Sequence, residues 1–279
     1  MLNLLSVRRF MALATVLMVA GLFEAAALDE VHTTNGKVQK GTVTKDTVEG
    51  VSLTPEGMAG GGGAVTTPAD QVESIVFDVQ SQDFQQGMRD MNNGDYASAA
   101  QSFQALLADE AQMRGFREVC KPYLAYLVGE CLYRAGKHQD ASTAFESFMK
   151  EYKVSRYVPM AVGNMVDSAI QSGRFEKAKQ YLVILEEKGG ENKARAFLLG
   201  AEMDLVQNNA AGAEAKFKQA AASSSSRETQ ALARLGLAKV AILKKDNDNA
   251  KKMAEQALSS SASPAVVGTA YLIIGDVLF

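Results

Sequence analysis

Five stretches of this 279-residue chain write small and large residues in one order. "NNGDYASAAQSF" at 92–103, "RAGKHQDASTAF" at 134–145 and "QSGRFEKAKQYL" at 171–182 are close versions of it. "VQNNAAGAEAKF" at 206–217 and "LKKDNDNAKKMA" at 243–254 are weaker ones. The turn residues are Gly94, Gly136, Gly173, Asn208 and Lys245, spaced 42, 37, 35 and 37 residues apart. Five positions beyond each comes Ala99, Ala141, Ala178, Ala213 or Ala250; four further on comes Phe103, Phe145, Leu182, Phe217 or Ala254. Self-similarity at such a period marks a stacked repeat. A small residue lets two helix backbones approach, and a large one fills the space beside it. One helix hairpin cannot bury its apolar face alone, so hairpins stack. The pattern predicts an α-helical solenoid over residues 81–279.

Local signals agree. After Gln80 the chain turns to Ala, Leu, Met, Gln, Glu and Lys, the good helix formers. Pro122, Pro159 and Pro264 sit where helices begin, the place proline tolerates. Ser263 reads as an N-cap, and Ser225 to Glu228 as a capping box. In the first repeat Asp83, Gln86 and Asp90 fall at core places; a one-residue shift turns Phe84, Met88 and Met91 inward instead. Asp204 and Arg234 also occupy nominally apolar places, which predicts looser packing there.

The repeat resembles the tetratricopeptide repeat (TPR), an antiparallel helix pair of about 34 residues. Gly129, Leu132, Gly136, Ala141 and Phe145 match the family pattern most fully. The resemblance implies about five repeats plus the first helix of a sixth, in which Tyr271, Ile274, Gly275 and Leu278 match. A solenoid end normally carries a polar cap. Ending on Val-Leu-Phe, the chain is expected to be part of a longer protein or to have this helix covered by a partner.

In the family, the first helix of each pair lines the concave face. The resemblance therefore implies a partner-binding surface made of Tyr123, Tyr126, Glu130, Tyr133 and Arg134, then Asn164, Asp167 and Gln171, then Arg195, Glu202 and Lys239. Tyrosine and arginine are residues that interfaces favour. The competing reading of the tyrosines is plain packing between repeats. The basic-and-Asn set with which some members clamp a peptide carboxylate is not evident. The resemblance reaches loosely to secreted bacterial TPR proteins with a small N-terminal β domain, some of them in envelope assembly or division.

Residues 28–80 read differently. Asn35-Gly36 between two β-prone runs signals a type I′ hairpin. "GVSLTPEG" and "QVESIVFDV" add strands, with Ile75, Phe77 and Val79 on one face, and Gly60–Gly63 marks a loop. A small SH3-like barrel or curled sheet of four or five strands follows. Its apolar content is thin, so it is expected to lean on the helices or pair an edge with a partner.

Ahead of it, Arg8-Arg9, an apolar run from Phe10 to Phe23 and Ala25-x-Ala27 form a secretory signal peptide over 1–27. An uncleaved membrane anchor is the competing reading, although the run is short for a span. Cleavage after Ala27 would release an exported, periplasmic or envelope-associated chain. Two cysteines, Cys120 and Cys131, are held apart by ten mostly helical residues and read as separate thiols, Cys131 buried.

The net charge of −3 gives no basic footprint for nucleic acid. With only His32 and His138, histidine-based catalysis or a histidine-rich metal site has little material. No phosphate loop, dinucleotide fingerprint or zinc spacing is present. The "DNDN" at 246–249 lacks the glycine and terminal glutamate of a calcium loop. The reading is a non-catalytic scaffold without cofactors, binding a protein or peptide. Its competitors are a self-associating structural protein and the accessory domain of a longer one.

Overall fold

The computed structural model describes residues 28–57 and 63–278. The expected leader at 1–27 and most of the glycine run at 60–63 lie outside the described residues.

Five antiparallel strands come first: β1 (Asp29–Thr33), β2 (Val38–Thr47), β3 (Gly50–Pro55), β4 (Val65–Pro68) and β5 (Val72–Val76). They form one sheet in the order β4-β3-β2-β1-β5, with a 3-10 turn at Ala69–Gln71 before the last strand. Val31, Val43, Val51, Leu53, Val72 and Ile75 are buried. The first hairpin departs from the type I′ expectation. Only Gly36 has positive φ, at 78°, and its N–H donates to Thr33 O. An Asn35 side chain that accepts from the Thr33 hydroxyl at 2.7 Å holds the ordinary turn, and the left-handed glycine follows it.

Twelve helices follow in the described residues: α1 (Gln82–Asn92), α2 (Tyr96–Ala108), α3 (Glu110–Gly115), α4 (Lys121–Arg134), α5 (His138–Glu151), α6 (Val158–Gln171), α7 (Phe175–Glu187), α8 (Gly190–Val206), α9 (Ala210–Ser223), α10 (Arg227–Leu243), α11 (Asn247–Ser260) and α12 (Pro264–Leu278). They are the hairpins of the repeat. All five turn residues are left-handed, and Asn208 and Lys245 are the only described residues other than glycine with positive φ, at 58° and 63°. The geometry thus persists where the glycine does not, at a steric cost of about 1 kcal/mol each. Ala99, Ala141, Ala178, Ala213 and Ala250 have no exposed surface. The spacing of 42 has a cause: α3 and a 3-10 turn at Glu118–Cys120 are inserted between α2 and α4.

Capping follows the sequence with one correction. Proline opens α4, α6 and α12. Ser226, not Ser225, caps α10, accepting from Thr229 N at 3.3 Å. Ser225 instead turns its N–H to Glu191 at 2.8 Å. Phe84 is buried and Met88 and Met91 half-buried, as the shifted register expects.

The helices form two layers. Helices α4, α6, α8, α10 and α12 lie side by side, each touching the next, while the intervening α5, α7, α9 and α11 pack mainly on their sequence neighbours. The layer with the closer spacing is the inner one of a curved stack.

Sheet and first repeats share a core, in which Phe77, Phe84, Phe103, Phe145 and Val31 belong to one cluster. Asp29 is fully buried at the first strand. Its carboxylate accepts from Val43 N at 2.7 Å, Asp78 N at 2.9 Å and both Arg117 terminal nitrogens, at 2.5 and 2.9 Å. Asp46 lies 2.9 Å from Arg156 Nε, out of hydrogen-bonding alignment. Val48 N donates to Val154 O at 2.9 Å. The thin sheet is completed by helices.

Candidate functional site

The inner layer holds a cavity of about 490 Å³ between α4, α6 and α8. Six sequence-level candidates line it: Tyr126, Glu130, Tyr133, Arg134, Asn164 and Arg195. Tyr96 and Met160 complete the wall. Helical spacing explains the set. Tyr126, Glu130 and Tyr133 recur at four and three residues along α4 and so share a face.

Glu130 is the hub. It is only 8% exposed, and such a carboxylate must be paired. Tyr126 Oη donates to Oε2 at 2.7 Å, Asn164 Nδ2 to the same oxygen at 2.6 Å, and Arg134 Nε to Oε1 at 2.6 Å. Burial, and then the Glu130 charge, push the Tyr126 phenol well above its ordinary value, so it stays a neutral donor. Arg134 is held further by Tyr96: its guanidinium lies 5.5 Å from the ring centre, a cation–π distance. Tyr133 Oη donates to Asp167 Oδ2 at 2.5 Å, which ties α4 to α6 at the rim.

Arg195 differs from all of these. It reaches from α8 over α6, where Gly163 makes room: a Cβ there would lie 2.5 Å from Arg195 Nη2. It is half-buried, and among the described residues it has no hydrogen bond or ion pair from its side chain. A guanidinium keeps its charge and offers five donors. The cavity thus pairs one satisfied carboxylate with one cation whose donors are free.

The other candidates fall elsewhere. Tyr123 does not face the cavity. It packs among Phe77, Phe84 and Tyr157, with ring centres 5.5, 6.5 and 5.3 Å away. The sheet covers that end of α4, and helical periodicity alone does not reveal such a cover. Tyr126 is itself 5% exposed and stacks on Tyr157, so only its hydroxyl end serves the cavity floor. Gln171 is exposed beyond the rim. Glu202 and Lys239 form their own ion pair at 2.9 Å between α8 and α10. Sequence reading missed Tyr96. Its signal is an aromatic ring two places after a turn, shared with His138 and Phe175.

Among the described residues no group of three or more His, Cys, Asp or Glu residues is placed to hold a metal. Cys120 and Cys131 are unpaired and buried, and burial pushes their thiols up to about 11 and about 12. Those are poor nucleophiles. No described helix is long and apolar enough to cross a membrane.

A stack of hairpins with an inner groove defines a helical-repeat protein, and the fold is of the tetratricopeptide type. It is similar to a thermophilic TPR protein of Thermus thermophilus, with a TM-score of 0.50 and 16% identity over 71% of this chain and 98% of that one. Yeast Tom70 aligns at a TM-score of 0.47 and 16% identity over 68% of this chain and 39% of that one. PilW, a widely conserved type IV pilus biogenesis factor, aligns at 0.41 and 16% over 69% and 99%. Neither a family model nor a curated protein matches the sequence. At these identities the likeness is one of fold.

Proposed function

We propose that the chain is a non-catalytic scaffold, exported to the bacterial periplasm or envelope, that binds a protein or peptide in its inner groove. The observation that carries this reading is Arg195, a half-buried guanidinium with no hydrogen-bond or ion-pair partner among the described residues, beside a fully bonded Glu130. An acidic side chain or chain terminus of the partner would complete it, with Asn164 and Arg134 alongside. The leader at 1–27 supports export. The strand order and the 3-10 turn before β5 support the SH3-like reading of the sheet, which would add a second contact surface.

The test is affinity capture from an envelope extract with the chain and with Arg195→Ala. Arg195 carries little of the fold, unlike the buried Tyr126. One dominant protein lost with the variant is the expected result, and cell fractionation should place it in the same compartment. Equal capture by both removes the groove from the reading.

Self-association is a second reading with its own observation. On α12, Tyr271, Leu272 and Leu278 are 64, 70 and 61% exposed. Light scattering should then show an oligomer that shortening the chain by residues 264–279 dissolves; a monomer in both cases ends that reading.

A further inference from the structure

Arg234 sits where three of the other repeats keep an apolar residue: its counterparts eleven places before the turn are Ala125, Val162 and Phe197, with Asp83 in the first repeat the other exception. It is half-buried between α10 and the end of α11. Such a side chain needs compensation. Its one hydrogen bond is from Nη1 to the Ser260 hydroxyl at 3.1 Å, a neutral partner. Among the described residues it has no ion pair, and neither has Arg227, about two turns earlier on the same helix. Both line a cavity of about 320 Å³, together with Gln230, Ser259 and Ser260. No carboxylate lines it. The residues at 227, 230 and 234 fall on one side of α10 by spacing, and the two serines face them from the last turn of α11.

We infer that this cavity is an anion site for a phosphate group, either free phosphate or a phosphomonoester carried by a larger molecule. Two guanidinium forks offer paired donors. The Ser259 and Ser260 hydroxyls each already donate to a backbone carbonyl, Gln256 O and Ala257 O, and so contribute through rotation or as acceptors of a protonated phosphate oxygen. With the Gln230 amide beside them, the two guanidinium groups offer more donors than the two oxygens of a planar carboxylate use well, and a tetrahedral group with three free oxygens takes them up more fully. The cavity exceeds the volume of the bare ion, which leaves room for what carries it. This site is separate from the groove of Arg195, and it stands or falls without it.

The experiment is titration calorimetry of the chain with inorganic phosphate, O-phosphoserine and acetate, at matched ionic strength. Binding of one of the first two, and not of acetate, is expected. Whichever binds more tightly identifies the source, free ion or phosphomonoester. Arg234→Met restores the apolar character of the position and should weaken binding about tenfold, the loss of a charge-assisted fork. Arg227→Ala, at an exposed site, should weaken it several-fold while leaving the fold intact, so it decides the matter if the first variant does not fold. Absence of binding, acetate binding as tightly as phosphate, or unchanged affinity in a folded variant overturns the inference.

Discussion

The two ends of the solenoid use one backbone pattern and two kinds of core. Around the sheet and the first repeats, rings meet rings: Phe84 lies 5.8 Å from Phe103 and 6.0 Å from Phe116, and Tyr126 5.8 Å from Phe145. Around α10, α11 and α12 the buried set is Ala231, Ala238, Ala241, Ala250, Ala254, Ala257 and Ala270, with Leu235, Val266 and Ile273 as its larger members. Alanine keeps helices close but buries little apolar area. At roughly 25 cal/mol per Å², rings contribute far more per position. The same topology can thus be stiff at one end and soft at the other, because each repeat is stabilised only by its neighbours.

The comparison can be broken by core truncation first. Phe145→Ala should cost about 4 kcal/mol in denaturant melts, and Ala254→Gly only about 1 kcal/mol. Equal costs would mean that the halves are not distinct. Next comes the link between sheet and helices. Arg117→Met leaves the buried Asp29 carboxylate with its two backbone donors alone and should cost about 3 kcal/mol. Hydrogen exchange should then rise in β1 and β2 and leave α10–α12 unchanged; a global loss of protection would contradict a local link.

Glycines sharpen it further. A Cβ at Gly129 would lie 2.4 Å from the Phe145 ring, whereas at Gly275, the matching place in α12, it meets nothing within 4 Å. Gly129→Ala should destabilise by about 2 kcal/mol. Gly275→Ala should stabilise by about 0.5 kcal/mol through helix propensity. Thermal melts read both, and two changes of the same sign would refute the contrast.

The smallest effect is that of pH. Burial holds the Asp46 carboxyl above its ordinary 3.8, an effect that Arg156 offsets only in part. Between the ordinary and the raised value the folded chain binds more protons than the unfolded one, so stability falls as pH rises through that window. Asp46→Asn should flatten this part of the profile. A profile that keeps its slope assigns the fall to another group.

What was legible in the sequence was local and repeated. A left-handed turn followed five places on by a buried alanine needs only a few neighbouring residues, and five occurrences confirm one another. The α4 side of the cavity, Tyr126, Glu130 and Tyr133, was legible for the same reason, since a helix sets its side chains by period. Pairings across long stretches were not. Asp29 and Arg117 are 88 residues apart, and nothing near either announces the other. Tyr123 obeys the period of Tyr126 and Tyr133, yet the sheet covers it. The insertion of α3 appeared only as an unusual spacing.

The ring that rests on Gly129 also has a mechanical meaning. A side chain seated in a notch of the facing helix must climb out before the two helices can slide. Such notches lock α1 to α2 at Gly87, α4 to α5 at Gly129 and α9 to α10 at Gly236, whereas among the described residues no ring rests on a glycine between α11 and α12. Pulled by its two ends, the molecule should therefore give way first at the alanine-rich end. It should then lengthen one hairpin at a time, leaving the sheet and the groove assembled until last.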